Sequence, residues 1–184
     1  MASAKRSPAT RRVRYQVACS LDGYIAGPSG EFDWIIPEPE FNFDELYAQF
    51  DTLLMGRKTY EAVRSMPGVF GDKHVIVASR TLRQTDPSDV EVVGEDLEQR
   101  IVDLKKSPGS DIWLFGGGEL FAQLLAWGLV DTVEPAIVPI LLGGGLPLLP
   151  APAAQYPLTL ERHRAYSSGM IVLEYAVRSP AEAE

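Results

Sequence analysis

Short apolar runs alternate with segments of helical spacing through the first two-thirds of the chain. The runs predict β-strands, because each is only a few residues long and is bounded by turn-forming residues. These predicted strands cover residues 13–20, 52–55, 74–78, 90–93, 112–115 and 130–140. Apolar side chains that recur every three or four positions predict helices over residues 43–50, 58–64, 97–104 and 119–127.

The C-terminal part of the chain departs from this alternation. Strands are predicted over residues 158–166 and 170–178, and the turn Ser167-Ser168-Gly169 between them indicates an antiparallel hairpin. In the strand over residues 130–140, Pro135 and Pro139 lack an amide proton. That strand is therefore expected at an edge of the sheet, or interrupted.

Strands that alternate with helices favour a parallel sheet, because each helix returns the chain to the start of the next strand. We therefore predict an α/β fold: a mixed, mostly parallel β-sheet flanked by helices, with the antiparallel hairpin at the C-terminus. One domain is expected over residues 12–178, between disordered tails at residues 1–11 and 179–184.

Composition and charge narrow the possible functions. The formal net charge of −8 argues against a nucleic-acid-binding surface, which is usually basic. No apolar run approaches the roughly 18 residues of a membrane span, and no secretory signal is present, so no membrane partner is expected. The single cysteine, Cys19, is expected in the core and fits a cytoplasmic protein. No spacing typical of metal ligands occurs, and no metal is predicted.

Three predicted strands end in residues suited to phosphate. Gly116-Gly117-Gly118 stands between a strand and a helix, where a ligand can approach the backbone and the helix N-terminus presents free N–H groups. Met55-Gly56-Arg57-Lys58-Thr59-Tyr60 is a second such passage, and Ser79-Arg80-Thr81 adds a hydroxyl and a guanidinium. Each one alone could be an ordinary turn. Together, at one edge of a parallel sheet, they indicate a bound nucleotide-like anion.

Taken in order, these motifs resemble those of dihydrofolate reductase. The resemblance lies in residues 19–26 (CSLDGYIA), 55–60 (MGRKTY), 79–81 (SRT) and 116–120 (GGGEL). Residues 139–145 (PILLGGG) with Pro147-Leu148 look closer to the reductase domain of the bifunctional riboflavin-biosynthesis deaminase/reductase. The similarity covers about residues 13–177 and implies a dihydrofolate reductase-like fold. Because only residues 1–11 precede the domain, a stand-alone form of that reductase is expected.

The resemblance implies NADPH as the cofactor and assigns four groups of residues to it. The nicotinamide would contact Ala18, Ile25 and Ala26. The phosphates would contact Gly56, Arg57 and Thr59. The 2′-phosphate, which distinguishes NADPH from NADH, would lie between Ser79 and Arg80. The pyrophosphate would be held by Gly116, Gly117, Gly118, Glu119, Leu120 and Phe121. Residues 21–34 would form a mobile loop over the nicotinamide.

The residue that holds the substrate and supplies a proton stays open. Dihydrofolate reductase uses one buried carboxylate on its first helix, and this chain offers several acids in that region. The candidates are Glu38, Glu40, Asp44 and Glu45, together with Asp33 and Trp34, a pair that resembles a sequence common in stand-alone relatives. Trp34 would stack on the substrate or belong to the core. Acids packed this densely repel one another when buried, so most are expected in water.

The predicted function is NADPH-dependent reduction of a small heterocyclic substrate, as by 5-amino-6-(5-phosphoribosylamino)uracil reductase of riboflavin biosynthesis. One alternative is a dihydrofolate or pterin reductase, although dihydrofolate itself is expected to be a poor substrate. Another is a nucleotide-binding protein without turnover. The apolar run over residues 137–149 predicts a buried partner surface, and the resembling riboflavin-type enzymes are dimers, so a homodimer is expected.

Overall fold

The computed structural model describes residues 10–83 and 90–178. Residues 1–9 of the tail predicted over residues 1–11, and the whole tail predicted over residues 179–184, lie outside the described residues. The strands are β1 (Val13–Ser20), β2 (Tyr24–Ala26), β3 (Phe50–Gly56), β4 (His74–Ala78), β5 (Val90–Val93), β6 (Asp111–Gly116), β7 (Thr132–Val138), β8 (Leu146–Pro147), β9 (Leu158–Ala165) and β10 (Ile171–Val177). The helices are α1 (Phe43–Tyr47), α2 (Arg57–Val63), α3 (Leu97–Lys106) and α4 (Gly118–Ala126).

Eight of these strands form one sheet in the order β5-β4-β3-β6-β1-β7-β10-β9. The pairings from β5 across to β7 are all parallel, whereas β10 runs antiparallel to both β7 and β9. This is the predicted mixed, mostly parallel sheet with a C-terminal antiparallel hairpin, and the fold class is confirmed. The short strands β2 and β8, which the sequence pattern did not predict, pair with each other outside this sheet.

The expected edge position of the strand around Pro135 is wrong. β7 lies inside the sheet, where it pairs with β1 from Arg14–Thr132 to Ser20–Val138 and with β10 on its other side. β10 pairs with residues on either side of Pro135 but not with Pro135 itself. The missing N–H of this proline is therefore tolerated, because the strand is held by a neighbour on each side. Pro139 follows the end of β7 and therefore does not interrupt it.

Two predicted boundaries also shift. The first helix ends at Tyr47, and Phe50 begins β3 instead of completing a helical stripe. Arg11, predicted to belong to a disordered tail, is 5% exposed. Its guanidinium pairs with Asp51 and donates to Thr52 Oγ1 at 2.8 Å, so the folded domain includes this residue.

The sheet has a different core on each face. On β1, Val13 and Tyr15 belong to the core that contains buried side chains of α3 and α4, and the Tyr15 ring stacks on Phe121 at 3.9 Å. The opposite face of β3 packs around Trp113. Cys19 is buried as expected, and this burial raises its pKa to about 11. The thiol is therefore protonated at neutral pH and is a core group.

A buried ion pair joins β1 to β7 on the second face. Arg14 donates from Nε and Nη2 to the two carboxylate oxygens of Glu134, at 2.7 and 2.8 Å. Thr132 Oγ1 donates to Glu134 Oε1 at 2.6 Å, and Gln49 Oε1 accepts from Arg14 Nη1 at 2.8 Å. The guanidinium also lies over the Phe50 ring. The bidentate ion pair and the further hydrogen bonds from Thr132 and to Gln49 together offset the loss of hydration of the two buried charges.

We expect Glu134→Ala to lower the free energy of unfolding by about 3 kcal/mol, because it removes the bidentate partner of the buried Arg14 charge and leaves only the longer contact of 3.4 Å from Arg14 Nη1 to Asp111 Oδ2. Urea unfolding measures this, with Asp103→Ala on the exposed face of α3 as the matched control, expected to change stability by about 0.5 kcal/mol or less. The double variant Arg14→Met/Glu134→Leu should be more stable than Glu134→Ala alone. Equal losses in Glu134→Ala and the control would contradict this account.

Candidate active site

The carboxyl ends of five strands meet along one edge of the sheet. Because β1, β3, β4, β6 and β7 are parallel, their last residues lie side by side. The register places Gly56 beside Ala78 and Met55 beside Gly116. The three phosphate-binding motifs predicted from the sequence therefore converge at this edge.

Two glycine turns at this edge contact each other. α2 follows Gly56, α4 follows Gly117, and no side chain caps either helix N-terminus. A Cβ on Gly116 would lie 3.4 Å from Thr59 Cγ2, and one on Gly117 would lie 3.5 Å from Thr59 Oγ1. A Cβ on Gly56 would meet no atom within 4 Å. The edge thus presents the uncapped N–H groups at the start of α4, with the Thr59 hydroxyl beside Gly116 and Gly117.

The turn after β4 presents Arg80. Ser79 Oγ accepts the backbone N–H groups of Thr81 at 3.2 Å and Leu82 at 2.9 Å, which shapes this turn. Arg80 is exposed and has no ion pair within the described residues. Arg57 differs, because its Nη1 lies 3.0 Å from Glu61 Oε1 on the same helix. Arg80 is therefore the more available of the two guanidinium groups for an anion.

The residues at the start of α4 divide by orientation. Leu120 and Phe121 are buried in the core, 6% and 3% exposed, so only their backbone can face a ligand. Glu119 is exposed. Gly118 is covered from outside, because a Cβ there would lie 2.6 Å from the carbonyl oxygen of Pro147. Of the residues predicted to hold the pyrophosphate, 116–121, Gly116 and Gly117 are therefore the central ones, and they would contact it through their backbone.

Part of the loop predicted to be mobile is paired in the structure. β2 forms an antiparallel ladder with β8, pairing Tyr24 with Pro147 and Ala26 with Leu146. Leu21 N–H donates to the Ile140 carbonyl at 2.8 Å. Residues 21–26 are thus held against residues 139–150, which we call the glycine-rich segment. Of the loop predicted over residues 21–34, residues 27–34 belong to no helix or strand and pair with none.

Sequence reasoning missed this ladder and the role of Asp22 within it. The signals were present as the Asp22-Gly23 turn and three consecutive glycines at 143–145. A Cβ on Gly145 would overlap the Ala26 carbonyl, so glycine is required where the two segments touch. Because the partners are far apart in the sequence, only the folded arrangement brings them together.

The candidate acids lie mostly in water. Asp33, Glu40, Asp44 and Glu45 are all exposed, as the crowding of their charges predicted. Glu40 accepts from the Ser167 hydroxyl in the turn of the β9–β10 hairpin, and Glu45 accepts from the Asn42 amide at the start of α1. Neither α1 acid reaches the core, since α1 has no buried residue.

Glu38 and Trp34 differ from the other candidates. Both are half-buried, and Glu38 Oε2 and Trp34 Nε1 are shielded from solvent without a well-aligned hydrogen-bond partner among the described residues. Ser168 nonetheless lies close to the Glu38 carboxylate, and its hydrogen-bond donors lower the pKa of that group. The other oxygen of Glu38 accepts the Glu40 backbone N–H at 3.0 Å. Buried polar atoms are nearly always paired, so this acceptor and this donor are available to a ligand.

A row of small residues crosses the sheet beside these candidates. Ala18 pairs with Ala136, Ala136 with Val172, and Val172 with Arg164, and directly paired residues share a sheet face. Phe41 packs on the apolar part of this row. The row leads from the end of β1 to Arg164 on β9, whose guanidinium lies over the Tyr166 ring.

Within residues 10–83 and 90–178, no helix has the length and apolarity needed to cross a lipid bilayer. The same residues contain no cluster of three or more His, Cys, Asp or Glu side chains that could hold a metal ion.

Residues 11–172 match the RibD C-terminal domain family. The chain belongs to that family. It is 32% identical over 178 residues to the uncharacterized protein YyaP of Bacillus subtilis, a match covering 90% of this chain and 94% of YyaP. A candidate riboflavin biosynthesis protein from Shewanella sp. PV-4 superposes with a TM-score of 0.80 at 28% identity, covering 91% of this chain and 99% of that one.

Two more distant structures share the fold. The deaminase/5-amino-6-(5-phosphoribosylamino)uracil reductase of Thermotoga maritima has a TM-score of 0.70 at 19% identity, covering 92% of this chain and 57% of that one. Dihydrofolate reductase of Enterococcus faecalis, complexed with NADP(H), has a TM-score of 0.67 at 16% identity, with 91% and 97% covered. The dihydrofolate reductase-like fold and the resemblance to RibD reductase domains are thereby confirmed.

Proposed function

We propose that this RibD-family chain is an NADPH-dependent oxidoreductase that reduces a small heterocyclic substrate of the ribosylaminopyrimidine type. The observation that carries the proposal is the convergence of two open glycine turns and the Arg80 turn at one edge of the sheet. The family match and the reductase activity of its Thermotoga relative support the reaction type.

The residues at this edge fit the cofactor. The uncapped N-terminus of α4 suits the pyrophosphate, because its free N–H groups and dipole favour negative charge. Arg80, exposed and without an ion pair in the described part of the chain, suits the 2′-phosphate. Ala18 and Ala26 leave room for a flat ring at the end of β1. When bound there, NADPH would supply the hydride.

The protein's own task is to place the acceptor and control its protons. We propose that the heterocycle lies at the Ala18 end of the small-residue row, beside the part that Phe41 covers at Ala136 and Val172. Trp34 Nε1 can donate to it, which satisfies an otherwise unpaired buried donor. The Glu38 carboxylate, whose pKa is lowered by Ser168 and by the Arg164 charge, can accept from it. Glu38 is therefore favoured over the exposed acids Glu40 and Asp44 as the group that holds the substrate. Closure of residues 27–34 would exclude water from the reacting atoms.

Arg80→Ala should weaken NADPH binding about tenfold or more and leave NADH binding nearly unchanged, because the guanidinium has no ion pair among residues 10–83 and 90–178 and would pair with the 2′-phosphate. Fluorescence titration of both cofactors measures this. Arg64→Ala, at another exposed arginine, is the matched control and should affect neither cofactor. A similar loss for NADPH and NADH in Arg80→Ala would refute the assignment.

The substrate class is tested by following NADPH absorbance with 5-amino-6-(5-phosphoribosylamino)uracil and with dihydrofolate. We expect turnover of the pyrimidine and little or no turnover of dihydrofolate, because α1 carries no buried carboxylate to hold a pterin. Glu38→Gln should lower pyrimidine reduction more than Asp44→Asn does. Robust dihydrofolate reduction would contradict the proposal, and NADPH binding without turnover of any heterocycle would favour a binding protein.

We also propose that the enzyme acts as a cytoplasmic homodimer. In the glycine-rich segment, Leu141 and Leu146 are 69% and 46% exposed, more apolar surface than an ordinary loop presents. Light scattering at micromolar concentration should give twice the 20.2 kDa chain mass. Leu141→Ser should shift the equilibrium toward monomer, whereas a wild-type mass of one chain would contradict the proposal.

A further inference from the structure

One carboxylate joins the turn after β1 to the glycine-rich segment. Asp22 Oδ2 accepts the backbone N–H of Gly143 at 2.7 Å, and Oδ1 accepts that of Leu142 at 3.1 Å. Ser20 Oγ donates to the same Oδ1 at 2.6 Å and itself accepts the Tyr24 N–H at 2.9 Å. Both oxygens of Asp22 are thus used, and its contacts connect the end of β1, the start of β2 and the distant segment.

The glycine-rich segment continues from Asp22 to the N-terminus of α4. Leu148 N–H donates to the Gly23 carbonyl at 2.9 Å, which extends the pairing of β2 with β8. A Cβ on Gly118 would lie 2.6 Å from the Pro147 carbonyl oxygen and 3.1 Å from that of Leu148. One short segment therefore touches both β2, at the proposed nicotinamide end, and α4, at the proposed pyrophosphate end.

We propose that Asp22 is a positioning residue for the cofactor. By holding Leu142 and Gly143, it fixes the position of the glycine-rich segment. That segment in turn sets the distance between β2 and the N-terminus of α4, so that both can contact one cofactor molecule. The inference rests on the proposed function for the identity of that molecule. The attachment of the segment by Asp22 is a property of the protein alone and can be measured without a ligand.

An ionised carboxylate suits this role better than its neutral analogues. The hydrogen bond from Ser20, followed by those from the backbone of Leu142 and Gly143, lowers the pKa of Asp22. The group therefore stays charged through neutral pH, where charge-assisted acceptors are strongest. An asparagine keeps one acceptor oxygen but turns an NH₂ donor toward a backbone N–H, so it retains only part of the attachment.

The first measurement is backbone amide hydrogen exchange in the cofactor-free protein. In Asp22→Ala, the Leu142 and Gly143 amides should exchange about tenfold faster or more, because they lose their acceptor. Asp22→Asn should give an intermediate rate for one of the two. The matched control is Asp72→Ala, an exposed aspartate 88% open to solvent in the segment between α2 and β4, which should leave both rates unchanged.

The second measurement is NADPH affinity in the same three variants. Asp22→Ala should raise the dissociation constant about tenfold, with Asp22→Asn between it and the wild type, and Asp72→Ala should match the wild type. Gly145→Ala should displace the glycine-rich segment without touching Asp22. The new Cβ would overlap the Ala26 carbonyl, and the φ of +149° at this position is unfavourable for alanine. Gly145→Ala should therefore raise the dissociation constant for NADPH, as Asp22→Ala does, although Asp22 itself is unchanged.

The outcomes separate the inference from the proposed function. Wild-type exchange rates at Leu142 and Gly143 in Asp22→Ala would overturn the attachment. Faster exchange with wild-type NADPH affinity in both Asp22→Ala and Gly145→Ala would overturn the positioning role. A wild-type protein that binds no NADPH would refute the proposed function, and with it the role toward this cofactor, while the exchange rates would still decide whether Asp22 holds the segment. Near-ultraviolet circular dichroism of each variant shows that it is folded.

Discussion

The parallel pairing of β1 between β6 and β7 is the constraint on which the rest of the structure depends. The β1–β7 register runs without a break from Arg14–Thr132 to Ser20–Val138, so both strands end at the same edge. A slip of one residue would turn Arg14 toward the face covered by α3 and α4 and separate it from Glu134. The buried ion pair and the position of the candidate site are therefore two consequences of one register.

At that edge the protein uses backbone more than side chains. Gly116 and Gly117 at the turn before α4 lie against Thr59 of α2, and Gly56 at the turn before α2 leaves its surroundings open. The glycine-rich segment approaches β2 and α4 where a Cβ would not fit, at Gly145 and Gly118. Such a surface suits an elongated anionic ligand, whose phosphates need N–H donors and close approach, even in a chain with a net charge of −8.

The two sides of the candidate site have different chemistry. The side proposed for the cofactor offers N–H groups and Arg80, whereas the side proposed for the substrate offers small apolar residues with the Trp34 donor and the Glu38 carboxylate. Most acids of residues 33–45 remain in water, where their mutual repulsion is screened. Glu38 is the exception, since one of its oxygens is shielded from solvent and hydrogen bonding from Ser168 lowers the pKa of its carboxyl group.

The sequence by itself determined the helices, most of the strands and the glycine and arginine motifs at the sheet edge. Strand β1, β4 and β5 were predicted with their observed limits, and residues 56, 80 and 116 were predicted at the strand ends where they lie, because period and turn chemistry are local properties. Only the tertiary structure decided three further points: the interior position of β7 despite Pro135, the distinction of Glu38 from neighbouring acids, and the attachment of Leu142 and Gly143 to Asp22. Each of these points depends on partners far away in the chain. Such partners leave no periodic signal in the sequence, whether they are the neighbours of a strand, the residues that bury a side chain or the acceptor of a long-range hydrogen bond.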